Sequence, residues 1–517
     1  MGGVIAAGSS VTANVGAQIL ERGGNAVSAV TAACFAVSAG EPSIASLAGG
    51  GVMLIYQKDK DEVSAYDFFA NMPGLGAGGL KNIDFNEVLV DFGPTKQSFH
   101  VGKGAAAFGG LLPGICQAAQ KYANFPLKDL VSPSIELLRK GAKISAGQAK
   151  AMKLLEPILK YTKKGSDIFA PHGKLLGEND KYKNLQLAEH LEILVDDGFE
   201  SFYNNTFLPS IFRDFSPKNG GLITEKDHTC YEVLRSKPLS LSYRGTEIYT
   251  APRPSAGGEL IFLSLKLLET FDENEIKGEK QRVLVLARIM KVVEEIRHFF
   301  PDAVLEDKTY DWGVKRLKDL KDQVLSNSPV TPSGASSTTH ISCLDDRGNA
   351  AALTFTYGFG CGHMIGDTGI MMNNLLGESD LSPRGFHQHE LGQRLNTMMA
   401  PTFCFDKEKT VVLGSGGANR IRTAIFQVLS NLLDQKLSCY DAVKDDRIHY
   451  ESGRLSFESV GSKKGLKDYI KSLGSKEVLA FDEPNLFFGG VHLVENNKLS
   501  GFQGIGDPRR GGLCLVV

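Results

Sequence analysis

The sequence of 517 residues lacks several features that mark other classes of protein. Its eight cysteines include no C-x-x-C pair, and no cluster has the spacing of metal ligands, so we expect neither a disulfide framework nor a metal or other cofactor. No apolar run approaches the roughly 20 residues that span a bilayer. The chain opens without a basic segment followed by an apolar one, so we expect no signal peptide and a cytoplasmic protein with reduced thiols.

An excess of charge of either sign is also missing. Lysine and arginine number 57 and aspartate and glutamate 59, which leaves a formal net charge of −2. The sequence therefore has no excess of positive charge that would attract nucleic acid or an anionic membrane, and we expect neither as a partner. A hydrophobic content of 42% excludes a disordered chain, and the length suits one large layered unit or about three domains.

Glycine, by contrast, is abundant, with 57 residues. The excess lies in clusters at residues 49–51, 257–258, 358–369 and 414–417 rather than in a low-complexity tract. Glycine at the end of a strand permits unusual dihedral angles or a close approach of the backbone to another group. The clusters therefore predict a site that is built partly from backbone.

Hydrophobic periodicity predicts alternating helices and strands. A hairpin is expected at residues 52–57 and 62–68, and a strand at 410–413 leads through GSGGANR into a helix at 421–434. Residues 104–325 are predicted to be mostly helical. The clearest helices are expected at residues 12–22, 25–38, 127–140, 147–161, 185–198 and 281–300.

Residues 326–337 are polar and rich in proline, glycine and serine, which predicts an exposed linker. The sharpest change of composition in the chain follows directly, between Ser337 and Thr338. This boundary divides the chain into a helix-rich region, 1–337, and a second region, 338–517.

The second region opens with two apolar runs around a turn, which predicts a hairpin. With residues 346–348 as a three-residue loop, Asp345 faces Asn349, and counting back along both strands places Thr338 opposite Thr356. Opposed β-carbons lie about 4.5–5.5 Å apart, close enough for two hydroxyl groups to hydrogen-bond.

A threonine hydroxyl is a poor nucleophile unless a base takes its proton, and one known base is the threonine's own α-amino group. Such an amine titrates near about 7.7–8.0, which suits a general base at neutral pH. An amine on Thr338 requires that the bond from Ser337 to Thr338 be cut. The exposed linker before Thr338 would leave space for this cleavage.

Motifs spread over essentially the whole chain carry a resemblance to a known family. They are GGNAVSAVTAA, EPSIASLAGGGVMLIY, APRPSAGG, STTHISCLDDRGNA, GDTGIMMNN, MMAPT, LGSGGANRIRTAI and GDPRRGG. The sequence resembles the γ-glutamyltransferase (γ-glutamyltranspeptidase, glutathione hydrolase) family of N-terminal nucleophile hydrolases. The resemblance implies an α/β layered fold, an αββα four-layer sandwich, formed jointly by both regions.

The resemblance also implies an activity. The family cleaves itself before the first threonine of TTH, which here would give a large fragment of residues 1–337 and a small fragment of 338–517 that stay together. The mature enzyme would cleave γ-glutamyl amides such as glutathione through an acyl-threonine intermediate and pass the acyl group to water or to an amino acid. Such an enzyme would act in glutathione metabolism.

Catalytic residues are carried over position by position. Thr338 matches the nucleophile, and Thr356 matches the second threonine that hydrogen-bonds to it. The glycine loop matches the family's oxyanion hole at Gly416 and Gly417, or with the N–H of Ala418 under a shift of one residue. Backbone donors at a strand-to-helix turn suit a developing oxyanion.

The residues that would read the donor's amino-acid headgroup are altered. Glu378 is the nearest match to the acidic residue for the α-amino group, and Asn396 and Thr397 stand in place of the family's paired serines. Phe69 replaces the arginine that binds the α-carboxylate, so a charge-assisted clamp is missing. Leu375 replaces the Gln or Glu that follows the two asparagines.

Several alternatives stay open at the level of sequence. Arg394, Arg420 or Arg422 could supply the missing cation. The protein could instead be a related acylase whose donor carries no glutamyl headgroup, as Phe69 and Leu375 favour, or an uncleaved binding protein without catalysis.

Two other interpretations are not supported by the sequence. The GSGGAN loop is not predicted to bind a dinucleotide, because it ends in asparagine where a dinucleotide-binding loop needs glycine. His340 lies on a buried strand, where a core histidine is the expected role.

Overall fold

The computed structural model describes residues 2–79, 81–91, 96–272, 275–276, 278–320, 337–382, 384–460, 466, 468 and 478–517. Apart from residue 337, the predicted linker lies outside the described residues. The described part of the chain contains no helix with the length and apolar character that a bilayer span requires. All eight cysteines lie within it as free thiols, and six of them are buried.

The helices follow the predicted periodicity with two differences. They are α1 Ser10–Glu21, α2 Ala26–Gly40, α3 Leu111–Tyr122, α4 Leu127–Lys140, α5 Ala146–Leu154, α6 Glu156–Leu159, α7 Lys163–Phe169, α8 Leu185–Asp197, α9 Phe199–Phe202, α10 Leu208–Asp214, α11 Glu225–Thr229, α12 Gly257–Leu268, α13 Glu279–Phe299, α14 Asp307–Asp319, α15 Arg420–Leu433 and α16 Cys439–Lys444.

The first difference is that the helix predicted at residues 147–161 is divided into α5 and α6. Pro157 has no N–H and would clash with a carbonyl of the preceding turn, so the chain ends one helix and places the proline in the first turn of the next. The second difference lies in the region predicted to be mostly helical, which also contains two short strands at residues 142–143 and 181–182 and three strands between residues 234 and 250.

The strands are β1 Gly3–Ala7, β2 Gly50–Gln57, β3 Glu62–Asp67, β4 Asn86–Asp91, β5 Lys96–Val101, β6 Ala142–Lys143, β7 Lys181–Tyr182, β8 Leu234–Ser236, β9 Leu239–Tyr243, β10 Thr246–Thr250, β11 Thr339–Asp345, β12 Ala350–Thr356, β13 Thr402–Phe405, β14 Lys409–Gly416, β15 Ile448–Glu451, β16 Arg454–Glu458, β17 Val478–Phe481, β18 Gly490–Asn497, β19 Gly501–Ile505 and β20 Leu513–Val516. Strands β9 and β10 meet at Arg244 and Gly245, whose positive φ angles of 52° and 77° form a tight hairpin turn. The dipeptide RG between LSLSY and TEIYT was the sequence signal for this hairpin.

Two large sheets form the centre of the molecule. Within the described residues, the first sheet has the strand order β20-β1-β11-β12-β2-β3-β8 and the second the order β19-β18-β14-β13-β10-β9. Neighbouring strands within both sheets are antiparallel. Apolar side chains from both sheets, among them Leu54, Leu344, Phe403 and Val412, pack together between them.

Helices cover the outer face of each sheet. Helices α1 and α2 pack on the first sheet, and every residue of α2 is buried, as its almost wholly apolar sequence predicts. Helices α12 and α15 pack on the second sheet, and α13 packs on α12. The order helix, sheet, sheet, helix confirms the predicted αββα sandwich.

The predicted hairpin register is confirmed. In the pair β11 and β12, Thr339 faces Phe355 and His340 faces Thr354, so the next step places Thr338 opposite Thr356. On the other side of β12, Thr356 pairs with Gly50 at the start of β2. The start of β11 and the end of β12 therefore meet at one end of the first sheet, and the end of β14 approaches them from the second sheet.

Candidate active site

The peptide bond between Ser337 and Thr338 lies buried where these strand ends meet. The hydroxyl of Thr356 donates a hydrogen bond to the carbonyl oxygen of Ser337 and accepts one from the N–H of Gly358 at 3.0 Å. Both Ser337 and Thr338 are only 2% exposed. The second threonine therefore contacts the carbonyl group that the Thr338 hydroxyl would have to attack.

The carbonyl group of Thr338 itself is held from the second sheet. The guanidinium of Arg510 donates to its oxygen through Nη1 at 3.1 Å. Gly416 lies so close that a Cβ there would stand 1.9 Å from the same oxygen. A side chain at position 416 is incompatible with this approach, and the requirement explains one glycine of the predicted cluster.

The next residue, Thr339, is fixed from the opposite side by Glu41. Its hydroxyl donates to Oε2 of Glu41 at 2.7 Å, and Oε1 of the same carboxyl accepts from the hydroxyl of Thr12 at 3.0 Å. Burial raises the pKa of Glu41, while the two hydroxyl donors and the charge of Arg510 oppose that rise. No spacing in the sequence linked Glu41 to Thr338 or Thr339, because they are almost 300 positions apart.

The glycine loop leaves β14 and enters α15 through two unusual residues. Gly417 has φ of 120° and Ala418 has φ of 49°, a left-handed conformation that alanine rarely adopts. Gly416 is still part of the strand and pairs with Gly490. Among the described residues no hydrogen-bond acceptor contacts the N–H of Gly417 or of Ala418. The geometry therefore favours these two donors, the shifted alternative, for an oxyanion.

Glu378 is a buried carboxyl close to Gly358, two residues after the second threonine. It is 4% exposed, its Oε1 has no hydrogen-bond partner among the described residues, and that oxygen lies 2.9 Å from where a Cβ on Gly358 would stand. Burial, followed by the negative charge of Asp380, raises the pKa of Glu378 to about 8, and Arg420 acts in the opposite direction. A group so placed can bind a cation once it ionises.

Phe69 is entirely buried in an apolar cluster that also contains Leu375 and Met398. Its carbonyl oxygen accepts hydrogen bonds from the hydroxyl of Tyr231 at 2.8 Å and from Nη1 of Arg394. The position at which the family has its carboxylate-binding arginine is therefore apolar in this chain.

Arg394 does not replace that arginine freely, because Nη1 and Nη2 are engaged and only its buried Nε has no partner among the described residues. Besides Phe69, Nη1 contacts the Tyr231 hydroxyl at 2.8 Å, Nη2 donates to the carbonyl of Glu232, and the guanidinium lies 4.6 Å from the centre of the Tyr231 ring. Asp67 forms an ion pair with it at 3.3 Å. Arg394 fastens residues 67–72 to the loop that carries it.

The two remaining arginines lie at the start of α15, directly after the glycine loop. Nε of Arg420 donates to the carbonyl of Phe487 at 3.2 Å. Arg422 is 3% exposed, and its Nε and Nη2 have no hydrogen-bond partner among the described residues. Its charge acts on Glu294 and Glu451 nearby. Of the three arginines considered, Arg422 keeps the most unused donors.

The other predicted contacts to the substrate divide into two cases. Asn396 is exposed, whereas Thr397 is buried and its hydroxyl accepts from the N–H of Met399 at 3.2 Å.

His340 contacts the hydroxyls of Thr354 and Ser342 through its two ring nitrogens, at 2.7 and 2.8 Å. It is the core histidine that the sequence predicts, and burial lowers its pKa.

Metal ligands do not gather at this site. The described residues contain no group of three or more His, Cys, Asp or Glu side chains that could hold a metal ion.

Comparison with known proteins identifies the family. The profile of the gamma-glutamyltranspeptidase family matches residues 12–517. The glutathione hydrolase proenzyme of Escherichia coli (strain K12) is 30% identical over 478 residues, which cover 87% of this chain and 81% of that protein. The acylase ACY 1 proenzyme of Pseudomonas sp. (strain SE83) is 28% identical over 469 residues, covering 88% and 84%.

A solved structure supports the fold. The cephalosporin acylase from Bacillus halodurans superposes with a TM-score of 0.83 at 21% identity, over 99% of this chain and 95% of that one. The match of the family profile over nearly the whole chain agrees with the resemblance seen in the motifs. The chain therefore belongs to the gamma-glutamyltranspeptidase family.

Proposed function

We propose that the protein is a self-processing hydrolase or transferase of γ-glutamyl amides, with Thr338 as its nucleophile. The observation that carries the proposal is the hydrogen bond from the Thr356 hydroxyl to the carbonyl oxygen of Ser337. The glutathione hydrolase proenzymes among its relatives support the same activity. A role in glutathione metabolism and a cytoplasmic location belong to the proposal and rest on the sequence alone.

Maturation begins at the buried peptide bond. The Thr338 hydroxyl oxygen attacks the carbonyl carbon of Ser337 and gives up its proton, while the Thr356 hydroxyl stabilises the negative charge that develops on the carbonyl oxygen. The C–N bond breaks, the nitrogen takes the proton that the hydroxyl has given up, and an ester joins Ser337 to the Thr338 oxygen. Water then hydrolyses the ester, which releases fragment 1–337 with a carboxylate and fragment 338–517 with a free α-amine.

Turnover repeats this chemistry on an external amide. The α-amine of Thr338 takes the proton of its own hydroxyl, and the oxygen attacks the acyl carbon of the donor. The N–H groups of the glycine loop, Gly417 with Ala418 or Gly416, face the oxyanion, and each such donor typically lowers a barrier by about 2.7–4 kcal/mol. The amine product leaves with the proton, and water or an amino acid takes the acyl group from Thr338.

For a γ-glutamyl donor, the headgroup needs a partner for each of its charges. Glu378 is the partner for the α-amino group, and Asn396 and Thr397 lie on the segment that carries serines in the family. The α-carboxylate has no arginine at position 69, and the substitute that we favour is Arg422, whose Nε and Nη2 have no partner among the residues that the structure describes.

A second candidate function is supported by one observation. Phe69 and Leu375 are fully buried in the same apolar cluster, which suits an acyl donor that carries no α-carboxylate. The relation to an acylase proenzyme agrees with this candidate. Both candidates share the nucleophile and differ only in the donor.

The test separates the mechanism from the donor. Purified wild type, Thr338→Ala and Thr338→Ser are compared by denaturing electrophoresis and intact mass, and the cleaved protein is then assayed on γ-glutamyl-p-nitroanilide and on plain acyl anilides. We expect two fragments from wild type, slow cleavage of the serine variant, and a single intact chain for Thr338→Ala. An intact wild-type chain without amidase activity would support the binding-protein alternative instead.

A further inference from the structure

Arg510 connects the nucleophile to the glycine loop. Its Nη1 donates to the carbonyl oxygen of Thr338 at 3.1 Å. The same guanidinium lies against the loop, with Nη1 and Nη2 at 3.4 and 3.6 Å from where β-carbons on Gly416 and Gly417 would stand. A positive charge is therefore held next to the residue that gains an α-amine on cleavage.

Charged neighbours from several elements face this guanidinium. Burial and the positive charge of Arg420 lower the pKa of Arg510 to about 10, while Asp507 and Glu41 raise it and Arg447 lowers it further. Arg510 is therefore still a cation at neutral pH.

Two other titratable groups lie close by. Burial lowers the pKa of His492 to about 4, with Arg510 among the causes, so this ring is uncharged at neutral pH. Burial raises the pKa of Glu41, while the Thr339 and Thr12 hydroxyls and the charge of Arg510 oppose that rise. The two acidic neighbours, Asp507 and Glu41, raise the pKa of Arg510 and so favour its cationic form.

We propose that Arg510 is a positioning residue that keeps the new α-amine of Thr338 unprotonated at neutral pH once the bond to Ser337 has been cut. The carbonyl oxygen that Arg510 contacts and the amine nitrogen belong to one residue, so the cation lies within roughly 7 Å of the amine. A like charge at that distance disfavours the protonated amine. The amine then reaches its basic form at a lower pH and can take the proton of the hydroxyl.

This inference rests on the proposed function, because only a cleaved chain has the amine. It predicts that the acid limb of kcat/KM reports the amine and that its position depends on the charge at residue 510. A role of Arg510 in folding alone would lower the rate at every pH by the same factor and leave the limb in place.

The experiment compares wild type with Arg510→Met and Arg510→Lys after cleavage. The profile of kcat/KM between pH 5 and 10 is measured on the anilide that wild type turns over fastest. In Arg510→Met we expect the acid limb to move up by about one pH unit, with a loss of about tenfold near pH 6 that disappears by about pH 9.5. In Arg510→Lys, which keeps the charge, the limb should stay within about 0.3 pH units of wild type.

Each other result overturns the inference. An unmoved limb in Arg510→Met does so, as does an equal shift in both variants. The inference is also overturned if Arg510→Met fails to cleave itself, with or without cleavage of Arg510→Lys. Residue 510 would then be needed for self-cleavage, before any α-amine exists. A wild-type chain that stays uncut and inactive contradicts the proposed function itself, and so the two failures are distinguishable.

Discussion

The two sides of the donor site are built in different ways. On the side of Thr338, strand ends from both sheets bring together hydroxyl groups, backbone N–H groups and one guanidinium, with the Thr356 hydroxyl against Ser337 and Gly416 against the Thr338 carbonyl. On the side of Phe69, the surroundings are apolar, and Oε1 of the buried Glu378 carboxyl has no hydrogen-bond partner in the described part of the chain.

The difference teaches which part of the site is constrained by the fold. The reacting groups depend on backbone positions that the paired strands fix, so changing them disturbs the sandwich itself. The headgroup side depends on side chains from residues 68–73 and 375–378, which lie outside the strands and can change without moving one. The chemistry of a family can therefore persist in a chain whose donor differs.

The largest expected effect comes from crowding the reacting side. Gly416→Ala places a methyl group 1.9 Å from the Thr338 oxygen, so the loop or the nucleophile has to shift. A displacement of about 1 Å can lower a rate about 100-fold, and we expect self-cleavage to slow by at least that factor. The time course of fragment formation on gels measures it.

Gly147→Ala is the matched control for that variant. Gly147 is exposed in α5, and a Cβ there would stand 4.0 Å from the Ser145 hydroxyl oxygen, which is an ordinary van der Waals distance. The same substitution there should leave cleavage unchanged and raise helix stability by up to about 1 kcal/mol. Normal cleavage in Gly416→Ala would mean that the close approach to Thr338 is not required.

A smaller effect is expected from the second threonine. Thr356→Val keeps the branched shape and removes the hydrogen bond to the Ser337 carbonyl, so cleavage and turnover should slow by roughly 10- to 150-fold, or about 1.4–3 kcal/mol. Thr356→Ser keeps the hydroxyl and should stay within a few-fold of wild type. Equal rates in all three proteins would remove Thr356 from the mechanism.

Much of this reacting side was predictable from the sequence, for a physical reason. The position of Thr356 opposite Thr338 depends only on a short loop and on strict pairing, both of which are local. The contact of Arg510 with Thr338 joins positions 172 apart, and no local pattern encodes it. The contacts of Arg394 with Tyr231 and Asp67 could not be predicted from the sequence either, since they depend on how these distant residues pack.

The headgroup side offers a sharper test of the comparison. Phe69→Arg puts the family's cation back, and we expect KM for γ-glutamyl-p-nitroanilide to fall about tenfold relative to Phe69→Met, with less change in kcat. Because the site is fully buried, the charge should also lower Tm by several degrees without donor. Micromolar binding of this donor by wild type would show that another residue already reads the carboxylate.

The smallest effect concerns pH. The raised pKa of Glu378, about 8, means that most of this carboxyl is protonated at pH 7 and becomes an anion as the pH rises. An ammonium group on the donor prefers the anion, so KM for a γ-glutamyl donor should fall about 3- to 10-fold between pH 6.5 and 8.5. Glu378→Gln should abolish that dependence and leave KM for a plain acyl anilide unchanged.

Unfolding measurements supply the control for Glu378. Its folded-state pKa lies above the ordinary value of 4.5, so between about 4.5 and 8 the folded state binds more protons, and stability falls as the pH rises through this window. Urea unfolding of Glu378→Gln should lack that fall. An identical pH dependence in both proteins would contradict the assignment of the raised pKa to this residue.

The central claim is that Thr338, freed by cleavage, carries the acyl group. Its most direct test is to quench the cleaved enzyme during turnover of a γ-glutamyl or plain acyl anilide and to map the adduct by peptide mass spectrometry after tryptic digestion. We predict an acyl group on the peptide of residues 338–347, at the threonine that begins the small fragment. An adduct on any other residue, or turnover by a chain still intact between Ser337 and Thr338, would contradict the claim.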